Sequence, residues 1–114
     1  MDWSKYQLRL VESYEGEDSL GNDVSGCSES CCPAASLREG EEVQWDRHRS
    51  GYPTVYCNAI GEDSITLKYT NYFNPVDRLA ETREVTLTPG GRWGHGLGGG
   101  RYNYHYDLYL ETKE

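Results

Sequence analysis

The side chains between positions 101 and 111 alternate more regularly than any others in this chain of 114 residues. An extended strand points successive side chains to opposite faces, so this alternation predicts a long, half-buried β-strand. Tyr109 shares one face with the polar residues, and the other face carries Tyr102, Tyr104, Tyr106, Leu108 and Leu110. The pattern therefore predicts a core that contains tyrosine rings, whose hydroxyl groups each need a partner or water.

Alternating apolar and polar residues at 6–10 and 65–70 predict further strands. Residues 55–60 are apolar on both faces, as in a strand that is covered on both sides, and residues 42–45 and 84–88 are additional strand candidates. Residues 74–77 have the composition of a helix start, with Asn followed by Pro and then an acid in the first turn. Together these signals predict an all-β, mainly antiparallel fold, either a small β-sandwich or a partly open barrel of five to seven strands with at most one short helix.

Composition decides whether such a chain folds at all. The length fits a single β-rich domain that covers residues 1–114. Large aliphatic residues are scarce and the net charge is −8, a combination that is typical of disordered chains. Ten tyrosines and three tryptophans supply apolar area instead, and disordered chains are poor in both. We therefore expect an ordered, tyrosine-rich domain.

The acidic excess is concentrated in a segment without clear periodicity. Residues 11–37 hold six acids and no Lys or Arg, and we interpret residues from about 15 to 36 as a long acidic loop. Such a loop repels nucleic acid and anionic lipid and attracts a basic surface. It predicts a partner-binding segment at Glu15, Glu17, Asp18 and Asp23, although a solvated loop that keeps the protein soluble explains the same composition.

A glycine-rich loop is predicted at residues 89–100. Residues 94–99 match the spacing G-x-G-x-x-G, but a dinucleotide site needs a helix after this turn, and here a strand follows. Trp93 and His95 contribute nothing to chain flexibility. We therefore interpret them as partner contacts carried on a mobile hairpin loop.

The cysteines leave three chemical states open. Cys27, Cys31, Cys32 and Cys57 can be free thiols, form a disulfide or bind zinc. Zinc sites favour cysteines separated by two residues, whereas two of these four are adjacent. We predict no metal and no cofactor, and we expect free thiols in a reducing compartment.

Catalysis is the second functional hypothesis. A small hydrolase or nuclease-like enzyme would use His48 with His95 or His105 as acid and base, and an arginine to hold phosphate. Enzymes that bind nucleic acid generally have a positive surface, and the net charge of −8 argues against one. We therefore predict no catalytic residue and no nucleic-acid partner.

The N-terminal residues lack the apolar segment of a signal peptide, and no stretch reaches membrane-spanning length, which predicts a cytoplasmic protein without membrane contact. The leading functional hypothesis is a non-catalytic intracellular binding module, immunity- or inhibitor-like in general character, that engages a basic protein partner. A glycan-binding β-sandwich is the third hypothesis. The predicted partner-binding residues are Glu15, Glu17, Asp18, Asp23, Trp45, Tyr52, Trp93, His95 and Tyr109.

Overall fold

The computed structural model describes residues 1–47, 51, 53–74, 79–99 and 101–113. Two 3-10 turns, Trp3–Lys5 and Ala34–Ser36, are the only helical segments within these residues. The strands found there are β1 (Tyr6–Glu17), β2 (Asp23–Pro33), β3 (Thr54–Ile60), β4 (Ile65–Asn74), β5 (Leu79–Leu87), β6 (Arg92–Gly99) and β7 (Tyr102–Thr112).

The strands form two antiparallel sheets. A four-stranded sheet has the order β2, β1, β7, β6, and a three-stranded sheet has the order β3, β4, β5. Buried side chains of both sheets belong to one apolar cluster, and in the described residues no strand of one sheet pairs with a strand of the other. The predicted all-β, antiparallel class is confirmed, with the sheets arranged as a small sandwich.

The centre of the core lies between β1 and β7. Leu8 pairs with Leu110 and Leu10 pairs with Leu108, and all four side chains are fully buried. This is the face that the alternation in β7 predicts. Burial of four leucines removes a large apolar area from water, and each contributes on the order of 2 kcal/mol.

The tyrosines of β7 do not all reach this core. Tyr106 packs partly against the buried cluster, but Tyr102 and Tyr104 are only half-buried and lie outside it, so their predicted place in the core is wrong. Alternation identifies which side chains share a face. It does not tell how far along the strand the second sheet covers that face.

The predicted acidic loop at about 15–36 is wrong, because most of it forms strands. β1 continues to Glu17, β2 begins at Asp23, and the two strands pair along their whole length. The turn between them is held by Asp18, whose carboxylate accepts hydrogen bonds from the backbone N–H groups of Leu20 and Asn22, each at 2.9 Å. Gly21 supplies the positive φ of 82° that this turn requires.

The predicted glycine-rich loop at 89–100 is also wrong, because residues 92–99 are strand β6. Trp93, His95 and Leu97 alternate on its inner face, and glycines occupy the outer face. The glycines make room for side chains of β7: a Cβ at Gly94 would fall 2.7 Å from the Asp107 carboxylate. A strand with glycine at every second position thus has the composition of a loop.

Two further predictions concern local elements. The predicted strand at 42–45 forms only an isolated bridge between Glu42 and Tyr56. Of the predicted helix start at 74–77, residues 75–77 lie outside the described part of the chain. The described residues contain no helix with the length and apolar content needed to cross a membrane.

Candidate functional site

The four-stranded sheet extends well beyond the apolar core. Residues 12–28, 96–99 and 101–105 contribute no side chain to the core cluster, and we call them the distal half of the sheet. The molecule is accordingly elongated, with extents of 51 × 30 × 23 Å. The face of the sheet that contacts the core is called inner here, and the opposite face outer.

Three tyrosines gather on the inner face of the distal half. Tyr14 on β1 lies opposite Tyr104 on β7, with ring centroids 6.2 Å apart. Tyr102 is 6.1 Å from Tyr14 and 6.2 Å from Tyr104, so the three rings contact one another. We call them the tyrosine patch. Leu97, which pairs with Tyr104, is buried next to it.

The distal half also presents apolar side chains to water. Large apolar side chains that are exposed in the described residues are Met1, Tyr14 and Leu20. Tyr14 belongs to the tyrosine patch, and Leu20, at 83% exposure, lies in the turn between β1 and β2. The distal half thus carries two of the three large apolar side chains that are exposed in the described residues.

The predicted acids do come together, on the outer face and at the tip. Glu17 pairs with Asp23 across the hairpin, and Glu15 pairs with Ser25. Asp18 lies in the turn, where backbone hydrogen bonds from Asn22 and Leu20 hold the pKa of its carboxyl below the ordinary value. The distal half holds five acids and one arginine in total. The net charge of the distal half is therefore negative.

Small residues line the outer face between these acids and β6. They bound an open depression of about 790 Å³, whose lining includes Ser13, Ser25, Cys27, Gly96 and Gly98. His105 and Asn103 of β7 stand at its side. Few large side chains project from this part of the sheet, so an approaching segment can lie close to the backbone.

Closer to the core, the outer face carries charged side chains that pair with each other. Arg9 bonds Glu111 at 3.0 Å and Glu29 at 3.2 Å, and its guanidinium lies 4.4 Å from the Tyr109 ring centroid. Burial disfavours ionisation of Glu111, but hydrogen bonds from Arg9 and Gln7 outweigh it and keep its pKa below the ordinary value. Tyr109 is thus half-buried in an ion-pair network.

A second charged group lies beside β6. Asp107 accepts from Arg92 at 2.7 Å and contacts the Nε2 atom of His105 at 3.1 Å. His105 is on the outer face, whereas His95 is on the inner face, as their strand positions require. The two histidines are therefore separated by the sheet. His48, the proposed catalytic partner of either, lies outside the described residues.

Trp93 and His95 point inward. Trp93 contacts the Tyr69 ring at 4.7 Å between centroids, and the Nδ1 atom of His95 is 3.1 Å from the Tyr69 hydroxyl. The same hydroxyl accepts a hydrogen bond from the Asn71 amide at 2.7 Å. Burial lowers the pKa of His95, which keeps its imidazole neutral and able to accept a hydrogen bond from the Tyr69 hydroxyl. The expected mobile loop is absent, and these residues join the two sheets.

The remaining predicted contact residues lie away from the distal half. Trp45 is partly buried and packs against the core cluster. Tyr52 is outside the described residues. Sequence reasoning did not identify the tyrosine patch as surface, and it missed Leu20. The signal for Leu20 was available, since a lone leucine among Gly, Ser, Asp and Asn is typical of an exposed turn.

The cysteines do not form one site. All four are free thiols, and Cys31 and Cys32 point to opposite faces because they are adjacent on β2. Cys27 is exposed, while burial raises the pKa of both Cys32 and Cys57. The described residues contain no group of three or more side chains suited to bind a metal ion.

No protein-family model, no curated protein and no solved structure matches this chain. We therefore base the proposed function on the geometry of the distal half.

Proposed function

We propose that this protein is a non-catalytic binding module whose distal half engages a basic protein partner. The observation that carries the proposal is the coincidence, in one projecting part of the sheet, of the exposed side chains Tyr14 and Leu20 with five acids and a single arginine. Aromatic groups supply contact area at low entropic cost, and acids accelerate the approach of a basic surface.

The alternative explanation, a solvated acidic segment, accounts for the acids but not for the apolar groups. Leu20 is 83% exposed, and an exposed leucine does not increase solubility. A purely solubilising segment likewise gains nothing from tyrosines that pack against one another where the second sheet does not cover them. Trp93 and His95 have structural partners in the interior, and the proposal does not use them.

The test compares association rates. A triple variant with Glu15→Gln, Glu17→Gln and Asp23→Asn removes three outer-face charges and leaves Asp18 to hold the turn. The partner is first isolated from a cell lysate with the unmodified protein, and its association rate is then measured at low and high salt. The triple variant should associate about tenfold more slowly at low salt, and the difference should shrink as salt screens the charges.

A control variant with Glu41→Gln, Glu62→Gln and Asp63→Asn has the same change in net charge outside the distal half. It should associate nearly as fast as the unmodified protein. Equal rates and equal salt dependence for the triple variant and the unmodified protein would contradict the proposal.

A further inference from the structure

Unpaired strand edges attract other strands, and folded proteins usually cover them. In this protein the segment 40–47 covers one edge of the three-stranded sheet. The N–H of Gly40 donates to the carbonyl of Cys57 at 2.7 Å, and the N–H of Val43 donates to the carbonyl of Val55 at 2.8 Å. The carbonyl of Glu41 accepts from the N–H of Cys57 at 2.9 Å. The outer edge of β3 is therefore paired.

The same segment covers part of β2, the edge strand of the other sheet. Asp46 donates its N–H to the Cys31 carbonyl at 2.8 Å and accepts the Cys31 N–H on its carboxylate at 3.0 Å. Arg47 donates to the carbonyl of Glu29 at 3.4 Å. Among the described residues, this cover extends from Cys31 to Glu29 and does not reach residues 23–28 of β2.

The hydrogen-bond pattern identifies which backbone groups remain. In an antiparallel pair, successive residues bond alternately to the strand on one side and point away from it. The Cys31 carbonyl accepts a hydrogen bond from Asp46, so the backbone groups of Cys31 point away from β1. The Asn22 carbonyl accepts from Asp18, so Asn22 points toward β1. Because the two positions are nine residues apart, the odd-numbered residues of β2 point away from β1. On β2, the outward backbone groups that have no partner among the described residues are those of Asp23, Ser25 and Cys27 and the N–H of Glu29.

The side chains behind this edge are accessible from it. Gly26 has no side chain, and the ring of Tyr14 occupies its place: a Cβ there would be 2.7 Å from the ring atom Cζ. On the outer face, Ser25 is small and Glu15 lies directly behind it on β1. A strand added to β2 would thus meet an aromatic ring on one face and a carboxylate on the other.

We infer that the Asp23–Cys27 edge of β2 binds an extended, Lys- or Arg-bearing segment of the partner by strand addition. This inference rests on the proposed function and states how the partner is held. Backbone hydrogen bonds supply part of the affinity in such complexes, and alternate side chains supply specificity. A basic side chain on the inner face stacks on Tyr14, and one on the outer face pairs with Glu15 or Asp23.

Charge complementarity selects this occupant over a second copy of the chain. Pairing β2 with β2 of another molecule would bring Glu15, Glu17 and Asp23 of both copies together, and like charges across strands are destabilising. A basic segment replaces that repulsion with attraction on both faces.

The test uses a blocked peptide of alternating lysine and threonine, about eight residues long, which is a common strand length. A second peptide carries the same side chains but has an N-methyl group at every position, which blocks both of its edges. Hydrogen exchange followed by NMR should show new protection of the Ser25 and Cys27 amides with the first peptide only. The N-methylated peptide should bind at least about tenfold more weakly, because it loses every hydrogen bond that its N–H groups donate.

A matched pair of variants tests the protein side. Ser25→Pro removes an outward N–H, and proline is tolerated on edge strands where that group faces solvent. Ser25→Ala keeps the N–H and removes only the hydroxyl. Ser25→Pro should weaken binding of the unmethylated peptide about tenfold, and Ser25→Ala should leave it unchanged.

Three results would overturn strand addition. They are equal affinity for the two peptides, peptide binding without protection of Ser25 and Cys27, and absence of binding by either peptide. None of these results contradicts the proposed function. That proposal fails only if the triple charge variant associates with the isolated partner as fast as the unmodified protein does.

Discussion

The two halves of the four-stranded sheet are built from the same strands with different side chains. Near the core, β1 and β7 face each other with Leu8, Leu10, Leu108 and Leu110, all fully buried. In the distal half, the same inner face carries the tyrosine patch, and Tyr14 is 41% exposed. On β1 and β7, leucine occupies the part of the inner face that belongs to the core cluster, and tyrosine occupies the part that lies outside it.

This difference indicates two roles for one face. A leucine gains only from leaving water, whereas a tyrosine packs through its ring and keeps a hydroxyl that water or a partner can bind. The core half therefore stabilises the fold, and the distal half is the part for which we propose a partner. Variants that separate stability from binding test this division.

The largest expected effect is on the core half. Leu108→Ala should lower the free energy of unfolding by about 2–5 kcal/mol, because it leaves a cavity in a fully buried cluster. Tyr104→Ala should cost about 1–2 kcal/mol, since its ring is half-exposed and loses mainly contacts with other tyrosines. Urea unfolding of both variants measures the difference. Equal losses would show that the tyrosine patch is part of the core after all.

A smaller effect separates buried from exposed tyrosine hydroxyls. Tyr69→Phe should cost about 1–3 kcal/mol, because the Asn71 amide and the His95 imidazole lose their shared partner in the interior. Tyr14→Phe should change stability by no more than about 0.5 kcal/mol. The same urea experiment measures both. If Tyr69→Phe left the free energy of unfolding unchanged, water would have to replace the hydroxyl between the two sheets.

The smallest effect is a dependence on pH. Burial lowers the pKa of His95 in the folded protein below its ordinary value of 6.5. At a pH between the folded-state pKa and 6.5, the unfolded chain therefore binds a proton that the folded protein does not. Stability should therefore fall as the pH drops from about 7 to about 5. His95→Gln should flatten this slope. An unchanged slope in His95→Gln would assign the pH dependence to other groups.

Much of the fold follows from sequence patterns, and the failures have physical causes. Alternation predicted β7 and β4 because the core covers one face of these strands, and β3 was predicted from a run that is apolar on both faces. It missed β2, whose Ser, Gly and Cys residues lie mostly beyond the core, so that no apolar period marks the strand. It missed β6 because Gly94, Gly96 and Gly98 make room for neighbouring side chains, although Trp93, His95 and Leu97 do alternate.

The candidate site was predicted in part. Charge identified Glu15, Glu17, Asp18 and Asp23, since an excess of acid is visible in any linear segment. The tyrosine patch was not visible as surface, because Tyr102 and Tyr104 share a face with Leu108 and Leu110 and only the length of the opposing sheet distinguishes them. Trp93 and His95 were assigned to a loop, and their contacts with Tyr69 depend on a strand distant in sequence.

The segment 40–47 has a consequence for self-association. It pairs with β3 through Gly40, Glu41 and Val43, and with β2 through Asp46, so one short stretch covers edges of both sheets. A protease that cuts there, or a variant that displaces it, uncovers both edges in a single event. The β3 edge and the covered part of the β2 edge would then be open together, and molecules joined edge to edge at both can grow into chains. The acids near the tip of β2 oppose one of these contacts, and for β3 this segment is the protection against aggregation that the described structure shows.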